Sequence, residues 1–523
     1  MVEMAILLLV AFLLRAYGIN WDQGFHLHPD ERMLIMVGDK IDFFKNLNPD
    51  FFNYGSLPIY ILKGAAQLID FILKTRVAGY DGMLYLGRWL SIGFDLLTII
   101  FIYKISKLLF KNEKVALFAS FFYSVAFFPI QNSHFFVVDV FLTALTTILV
   151  YLLLLYLKTP TKKKIVLIAV IFSAMLATKF TAIIFFPVVI GVIIWKAIKQ
   201  WNNLISSLFT FAISLLTFHF LFMPYAYIDF PKFLSDIKLQ LEMNSNPYIF
   251  PFTLQYVGTT PYFYYLKNIF LWGLGPFISI ISLIGLISLI RLMRNKKNNN
   301  MLFLFVFYFF YFLIVGRSSV KFMRYMLPLY PFFAVLAGYC MSKIKKHLAT
   351  VFLFLSLLWC FIFVNIYSHP NTRTSATDWI LKNIPAGSTL AVEHWDDRLP
   401  VVGGENYKYE ELPLYERPDD DIKWQDINEK LKKSDYLIIA SNRLYVPLQK
   451  LFDCNKYKSC YPKTSEYYKK LFSNKLSFRK AAEFSVSPKL EIGNWKLEIR
   501  DEAADESFTV YDHPKVMIYK NLH

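Results

Sequence analysis

Long apolar runs separated by short basic loops fill the first 367 residues, and this pattern limits the fold more than any other feature. A membrane-spanning helix needs about 20 mostly apolar residues. Eleven runs reach or approach that length, so the sequence predicts a polytopic α-helical membrane protein. The predicted spans are 2–19, 84–107, 115–131, 138–157, 164–178, 180–196, 203–223, 268–290, 301–316, 325–342 and 348–367.

The charges orient these spans. The formal net charge of +17 lies entirely in residues 1–367, which contain 32 Lys and Arg against 15 Asp and Glu. Basic residues cluster in short loops on one side of the eleven-span arrangement, which is the pattern of the cytoplasmic side and argues against nucleic acid as a partner. These loops are 104–114, 158–164, 196–199, 291–297 and 343–346.

The opposite face then receives the longer outer segments, including the first outer loop, 20–83. Within it, Asp30–Phe44 and Leu57–Leu73 are predicted to be helices that lie along the outer membrane surface. The second is apolar enough to resemble a span. Lys63 and Asp70 interrupt it, however, and a span there would invert every later basic loop.

Residues 368–523 are polar and are predicted to form a separate extracytoplasmic α/β domain, after a membrane domain that comprises 1–367. Ser375 is a candidate N-cap for a helix that stops at a Pro/Gly pair. Strands are predicted at Thr389–Glu393, Asp435–Ser441 and Val516–Lys520. Cys454 and Cys460 could pair if this domain lies outside the cytoplasm.

Asp30 and Glu31 follow the first span in the stretch His26-Leu-His-Pro-Asp-Glu. A carboxylate there could act as a general base toward an acceptor hydroxyl. The two acids could equally complement the dipole of a surface helix, which is the more frequent situation for such a pattern. His26 and His28 with Glu31 could also hold a divalent cation, although two histidines at this spacing are weak grounds for a metal site.

Three further polar groups lie near the outer ends of predicted spans. Arg88 could contact an anionic headgroup, or pair with Asp95 to stabilise the helices. His134 and Asp139 are more than a simple hairpin turn requires, and structure and function are equally good explanations of them. Lys179 is a lone cation that could bind an anion or reach the membrane interface.

Arg317, Lys321 and Arg324 lie on the outer face, against the positive-inside trend. Their spacings of four and three place them on one side of a helical turn. A bound anion such as a lipid phosphate best explains such a cluster, although chance outer-face charge is an alternative.

The order of these groups resembles the protein O-mannosyltransferase superfamily of GT-C glycosyltransferases, which includes bacterial aminoarabinose transferases. The resemblance covers nearly the whole chain. The ending is similar to that of bacterial members with a soluble tail domain, in HWDDRLP (394–400) and SFTVYDHPKVMIYK (507–520). The other matching stretches are HPDE (28–31), NYGSLPIYIL, GRWLSIGFDLLTIIFIY (87–103), QNSHFFVVD (131–139), ATKFTA (177–182) and KFMRYMLPLYP (321–331).

The resemblance implies an inverting transfer of a sugar from a polyprenyl-phosphate donor to an acceptor hydroxyl. Asp30 would be the catalytic base, Glu31 would orient it or the acceptor, and His134 and Asp139 would line the cavity. The sequence identifies no cofactor and leaves open whether a divalent cation takes part. The implied donor-phosphate ligands are Arg88, Lys179, Arg317, Lys321 and Arg324.

The implied location is the plasma membrane, and the implied acceptor is a protein. Eukaryotic members carry a β-trefoil domain in a mid-chain loop, and the loop 224–267 is too short for one. A lipid or cell-surface glycan is therefore an alternative acceptor, which the tail domain would select. A transporter or flippase is an alternative of another class, but transporters place charges near the bilayer midplane. A third alternative function is that of a scaffold without catalytic activity, whose tail domain binds partners.

Overall fold

The computed structural model describes residues 2–199, 203–294, 299–493 and 495–523. The predicted basic residues Lys296 and Lys297 lie outside these ranges. The chain divides into two compact units. The first comprises Met1–Ile19, His28–Glu242 and Thr260–Phe363, and the second comprises Asn20–Leu27, Met243–Thr259 and Val364–His523.

Helices make up the first unit, and two of them, α12 and α17, extend past its edges. Helix α4 packs against α5 and α7, α16 packs against α5 and α14, and α8 packs against α10. The helices are α1 (Val2–Ala16), α2 (Pro29–Lys40), α3 (Leu57–Leu73), α4 (Tyr80–Phe110), α5 (Glu113–Ser124), α6 (Phe127–Ser133), α7 (Val138–Lys158), α8 (Lys162–Leu176), α9 (Phe186–Lys199), α10 (Leu204–Phe222), α11 (Tyr225–Ile228), α12 (Phe230–Ser245), α13 (Phe263–Asn268), α14 (Pro276–Arg294), α15 (Asn299–Val315), α16 (Tyr330–Met341) and α17 (Lys346–Val364).

Every predicted span contains a helix, but not every helix is long and apolar enough to cross a membrane. Among the described residues, four helical segments meet that requirement, and α5 with α6 makes a fifth if this pair, bent by 59°, is one span. Helices α14 and α15 are apolar but shorter. The chain is thus a helical protein with several candidate spans, and the number eleven remains a prediction.

Both predicted outer helices are present, as α2 and α3. Pro29 occupies the first turn of α2, where its fixed φ suits a helix start and its missing N–H is not needed. Asp30 and Glu31 follow in the same turn, next to the positive end of the helix dipole. Helix α2 buries Leu34, Ile35 and Val37 in a cluster shared with α3 and α4.

A five-stranded sheet forms the centre of the second unit, in the order β2-β1-β3-β7-β4. Strands β1, β2 and β3 are parallel, and β7 is antiparallel to β3 and β4. A separate hairpin joins β5 and β6. The strands are β1 (Thr389–Glu393), β2 (Lys408–Leu412), β3 (Tyr436–Ile439), β4 (Phe478–Phe484), β5 (Lys489–Ile492), β6 (Trp495–Glu498) and β7 (Val516–Asn521).

The three predicted strands are the three central ones, β1, β3 and β7. Apolar clusters cover both faces of this sheet, which explains their continuous apolar sequences. The prediction missed β2 and β4 because they are polar edge strands, as in Lys-Tyr-Glu-Glu-Leu. Its helix N-cap was also wrong, because Asn371 rather than Ser375 caps the first helix of the tail.

Five helices accompany the sheet, and Cys454 is joined to Cys460 by a disulfide. Cys340 and Cys360, in the first unit, are buried free thiols. The helices are α18 (Thr372–Asn383), α19 (Asp421–Lys433), α20 (Tyr445–Lys450), α21 (Pro462–Phe472) and α22 (Glu506–Thr509).

Candidate functional site

Five polar side chains from separate parts of the first unit meet at one place, and we call them the polar network. Asp30 and Asp139 lie in the first turns of α2 and α7. Tyr54 lies in the loop before α3, and Lys179 lies between α8 and a 3-10 turn, Phe180–Phe185. Arg324 belongs to a second 3-10 turn, Met323–Leu329. Sequence analysis had identified four of the five.

Carboxylates and cations alternate in the polar network. Tyr54 donates a hydrogen bond to Oδ1 of Asp30 at 3.1 Å, and Nη1 of Arg324 lies 2.7 Å from Oδ2 of the same carboxylate. Nε of Arg324 is 3.8 Å from Oδ2 of Asp139, whose Oδ1 accepts a hydrogen bond from Lys179 at 2.7 Å. Two positive and two negative groups are thereby held together in a partly dry environment, where their interactions are strong.

The members of the polar network differ in how much of their side chain is exposed to solvent. The side chain of Asp30 is 23% exposed, whereas that of Arg324 is 10% exposed and that of Asp139 is 3% exposed. Burial raises the pKa of Asp30, but Arg324, His28, Tyr54 and Lys179 outweigh it and hold the pKa below its usual value. Asp30 is therefore an ionised carboxylate that a second molecule can reach.

Tyr54 is the member of the network that sequence analysis missed. It is uncharged and lies outside any helix, so rules based on charge at span ends do not select it. Its position is fixed by its neighbour Gly55, whose N–H donates to the carbonyl of Thr178 at 3.0 Å. A Cβ at Gly55 would overlap the backbone of Ala177. The signal in the sequence was the stretch NYGSLP (53–58), in which Gly55 permits this close approach of the two backbones.

Glu31 is adjacent to Asp30 in sequence but has a different environment. It is fully buried, and it accepts hydrogen bonds from Nε and Nη2 of Arg88 at 3.0 and 2.8 Å and from the Phe136 N–H at 2.8 Å. Arg88 also donates to the carbonyl of Ile19 at 2.8 Å. Glu31 and a backbone carbonyl oxygen thus engage the guanidinium of Arg88, and its predicted role as a ligand of the donor phosphate stays a prediction. Glu31 is thus a buried partner of Arg88, and its predicted catalytic role stays a prediction.

The structural alternative predicted that Arg88 pairs with Asp95. The structure shows different partners for both residues. Asp95 instead pairs with Arg15 of α1 at 2.5 Å and accepts a hydrogen bond from Tyr123 of α5 at 2.6 Å. This buried group ties α1, α4 and α5 together.

His134, which was predicted to line the cavity, follows the last residue of α6. It is fully buried, with Nδ1 2.9 Å from the carbonyl oxygen of Ile130 and Nε2 2.8 Å from that of Tyr17. These contacts hold the turn between α6 and α7 against the end of α1. His134 thus supports the segment that leads to Asp139.

The predicted cation cluster at 317–324 does not share one helical face. Arg317 is exposed in a turn, Lys321 lies in a non-helical segment, and Arg324 is in the 3-10 turn. Lys321 is 3% exposed and donates to the carbonyl of Ser319 at 2.9 Å. Of the three, Arg324 is the one that pairs with the carboxylates of the polar network.

An apolar cavity of about 270 Å³ lies beside the network, within the same unit. Tyr54 lines it together with Phe52, Phe180, Met223 and Phe233. Among the described residues, no three His, Cys, Asp or Glu side chains are grouped so that they could hold a metal ion.

The sequence from residue 76 to residue 228 matches the family model described as dolichyl-phosphate-mannose-protein mannosyltransferase. This stretch contains Arg88, His134, Asp139 and Lys179. No curated protein matches the chain significantly.

Solved structures are similar over longer stretches. ArnT from Cupriavidus metallidurans bound to undecaprenyl phosphate is 14% identical, with a TM-score of 0.52 over 73% of this chain and 72% of that one. Its apo form is 11% identical, with a TM-score of 0.50 over 99% and 97%. The archaeal oligosaccharyltransferase AglB from Archaeoglobus fulgidus, in complex with an inhibitory peptide and a dolichol-phosphate, is 11% identical, with a TM-score of 0.53 over 96% and 74%.

The resemblance predicted from the ordered motifs is confirmed by these comparisons. Both the matched family and the solved relatives are glycosyltransferases.

Proposed function

Since the chain has the GT-C glycosyltransferase fold, we propose that it transfers a sugar from a polyprenyl-phosphate donor to an acceptor hydroxyl. The polar network is the observation that carries this proposal. Such a reaction needs a group that accepts the hydroxyl proton and cations that stabilise the departing phosphate. Asp30, Arg324 and Lys179 supply these groups within a few ångströms of one another.

Asp30 acts as the general base. It takes the proton of the acceptor hydroxyl while the hydroxyl oxygen forms a bond to the anomeric carbon of the sugar. The bond from that carbon to the phosphate oxygen breaks, and its electrons leave with the polyprenyl phosphate. Attack on the side opposite the phosphate inverts the anomeric configuration.

Arg324 and Lys179 bind the donor phosphate and stabilise the charge that grows on it. The guanidinium can donate two parallel hydrogen bonds, whereas the ammonium acts as a compact charge. Lys321 is close to Arg324 in sequence and adds positive charge to this segment, and the exposed Arg317 meets the phosphate only during approach. Asp139 holds the two cations in position through its two oxygens.

Glu31, Arg88 and His134 act through other residues. Glu31 and Arg88 fix the first turn of α2 to α4, and thus the position of Asp30. His134 fixes the turn before α7, and thus the position of Asp139. All three are positioning residues in this proposal.

The apolar cavity beside Tyr54 receives the first part of the polyprenyl chain. Aromatic and aliphatic side chains line it, and apolar surface is favourably buried against such walls. A phosphate bound at Arg324 would leave its hydrocarbon chain next to this cavity, because Tyr54 belongs to both.

The matched family supports mannose as the sugar and a protein as the acceptor, with a lipid or cell-surface glycan as the alternative acceptor. We place the reaction on the extracytoplasmic face of the plasma membrane. The Cys454–Cys460 disulfide supports this location of the tail, because disulfides persist outside the reducing cytosol.

Turnover by the purified chain tests the proposal. Reconstituted protein is incubated with radiolabelled polyprenyl-phosphate mannose and with protein, lipid or glycan acceptors. We expect label to move to one acceptor class, and Asp30→Asn to lower the rate by about 10²–10⁴-fold with little change in donor affinity. Asp39→Asn, which alters an exposed acid of the same helix, is the matched control and should be neutral. Movement of intact donor across the bilayer without sugar transfer would indicate a flippase instead.

A further inference from the structure

The second unit contains a cavity of about 430 Å³ that no step of the proposed reaction uses. It lies where α20, the end of α21, β4, β7 and the segment 501–515, which contains α22, meet. This volume is within the range of small-molecule sites in proteins. All of its lining residues belong to the second unit, so its shape is independent of the polar network.

A buried ionic group forms one wall of the cavity. His513 lies between two carboxylates, with Nδ1 2.5 Å from Asp512 and Nε2 2.9 Å from Asp501. Burial alone would lower the pKa of His513, but the two carboxylates raise it to about 10, so it is charged at neutral pH. A buried ionic group of this kind is costly unless well paired, and its members are held rigidly. It presents Asp501 to the cavity in a fixed orientation.

Acceptor atoms remain available on this lining. Oδ1 of Asp501 makes no hydrogen bond among the described residues, because His513 engages only Oδ2. The side-chain oxygen of Asn442 is buried and likewise has no partner in the described part of the chain. Buried polar atoms are normally hydrogen-bonded, so the unsatisfied oxygen of Asn442 on this lining favours a ligand that donates.

Aromatic surface belongs to the same lining as these acceptors. Phe472 is 37% exposed, and its ring packs edge-on against Tyr445 with centroids 5.3 Å apart. One face of the ring stacks on Tyr468, with centroids 5.9 Å apart, and the exposed remainder of such a ring can cover the C–H face of a ligand.

The cavity lining carries both positive and negative side chains, which disfavours ligands that are strongly charged. Lys480 and Lys515 lie on the same cavity as Asp501 and Glu502, and both lysines pair with Glu483, at 2.6 and 3.0 Å. A phosphate would face two carboxylates, and a cation would face two lysines. A neutral molecule with many hydroxyl groups can donate to the acceptors and accept from the lysines.

From these contacts, we propose that the cavity of the tail unit binds a neutral saccharide. The hydroxyl groups donate to Asp501 and Asn442, and the apolar face of one ring packs on Phe472. The proposal concerns binding alone, so it stands or fails separately from sugar transfer at the polar network.

Saturation-transfer NMR on the full chain tests this proposal. The protein is placed in nanodiscs, because many detergents carry sugar headgroups that would compete. The probes are neutral di- and trisaccharides of mannose, glucose, galactose and N-acetylglucosamine, with inorganic phosphate as the charged comparison. We expect ring protons of at least one saccharide to receive saturation, and Phe472→Ala and Asn442→Leu each to weaken binding about fivefold or more.

Phe452→Ala is the matched control, since Phe452 is another exposed phenylalanine of the tail, 52% exposed, and does not line the cavity. It should leave saccharide binding unchanged. Thermal unfolding of each variant identifies loss of fold, and Asn442→Leu provides a second test if Phe472→Ala is unstable. Absence of binding by every saccharide, binding of phosphate alone, or saccharide binding that neither variant alters would overturn the proposal.

Discussion

Asp30 and Asp139 each lie in the first turn of a helix, yet their side chains differ in exposure. Asp139 is almost completely buried and contacts two cations, whereas Asp30 keeps part of its surface exposed. A base must reach its substrate, and a residue that orients cations need not. At the residue scale, exposure therefore separates two carboxylates that look equivalent in the sequence.

The pKa of Asp30 gives a prediction at this scale. Arg324 is the main group that lowers it against the effect of burial, so Arg324→Gln should raise it. A base works only when deprotonated, and the acid limb of kcat/KM should therefore move to higher pH in the variant. Tyr54→Phe removes a weaker contribution and should shift the limb less, in the same direction. The measurement is a pH–rate profile of each protein. An acid limb that stays in place in Arg324→Gln would show that Asp30 does not set it.

The sequence predicted which polar residues lie at the outer ends of spans, because charge there is costly without a purpose. It did not predict which of them pair. Arg88 pairs with Glu31 and Asp95 pairs with Arg15, and neither pair could be predicted because each joins helices that are far apart in the chain. Tyr54 was missed because it is uncharged and its hydrogen bond to Asp30 is a tertiary contact.

At the element scale, α2 is fixed to the helices around it by the Glu31–Arg88 pair. The pair has no exposed surface, and Glu31 also accepts from the backbone before α7. Rules for single helices predicted α2 and α3 well, since Pro29, the acidic first turn and the apolar positions are local signals. The same rules were wrong for 317–324, where the chain forms turns and a 3-10 segment instead of an α-helix.

The substitution Glu31→Gln tests the contribution of the Glu31–Arg88 ion pair to stability. Breaking a buried ion pair leaves Arg88 with an uncompensated charge, which typically costs about 3–5 kcal/mol. We expect a lower unfolding temperature and a lower yield of folded protein, with activity lost in proportion to folded material. Asp30→Asn, by contrast, should keep a normal unfolding temperature and lose activity. A Glu31→Gln protein of normal stability but without activity would assign Glu31 a chemical role.

At the scale of the whole molecule, the eleven-span topology gives a prediction about the end of the chain. With eleven spans and a cytoplasmic basic side, the chain ends outside the cytoplasm. A reporter that is active only in the cytoplasm, fused after His523, should be silent, and one that requires an oxidising compartment should be active. The same cytoplasmic reporter fused in the loop 158–164 is the positive control. Cytoplasmic activity after His523 would require an even number of spans.

The tail unit also has its own pH dependence. The folded-state pKa of His513, raised to about 10, exceeds the usual value of 6.5. Its contribution to stability is therefore complete below about pH 6.5 and is lost as the pH rises toward 10. The contribution is on the order of a few kcal/mol. We expect the unfolding temperature of wild type to exceed that of His513→Gln at pH 7 and the difference to shrink toward pH 10. A constant difference would mean that His513 is neutral in the folded protein.

The alternation of charge in the polar network has a consequence for the order of events. Arg324 cannot give its best contact to Asp30 and to a phosphate at once, so an arriving donor competes with the carboxylate for the same guanidinium. In the proposed mechanism, each hydrogen bond from Arg324 to the phosphate weakens the ion pair between Arg324 and Asp30. Asp30 therefore becomes a stronger base as the donor binds. In the proposed mechanism, Arg324 therefore lowers the basicity of Asp30 until the donor phosphate binds, and phosphate binding restores it.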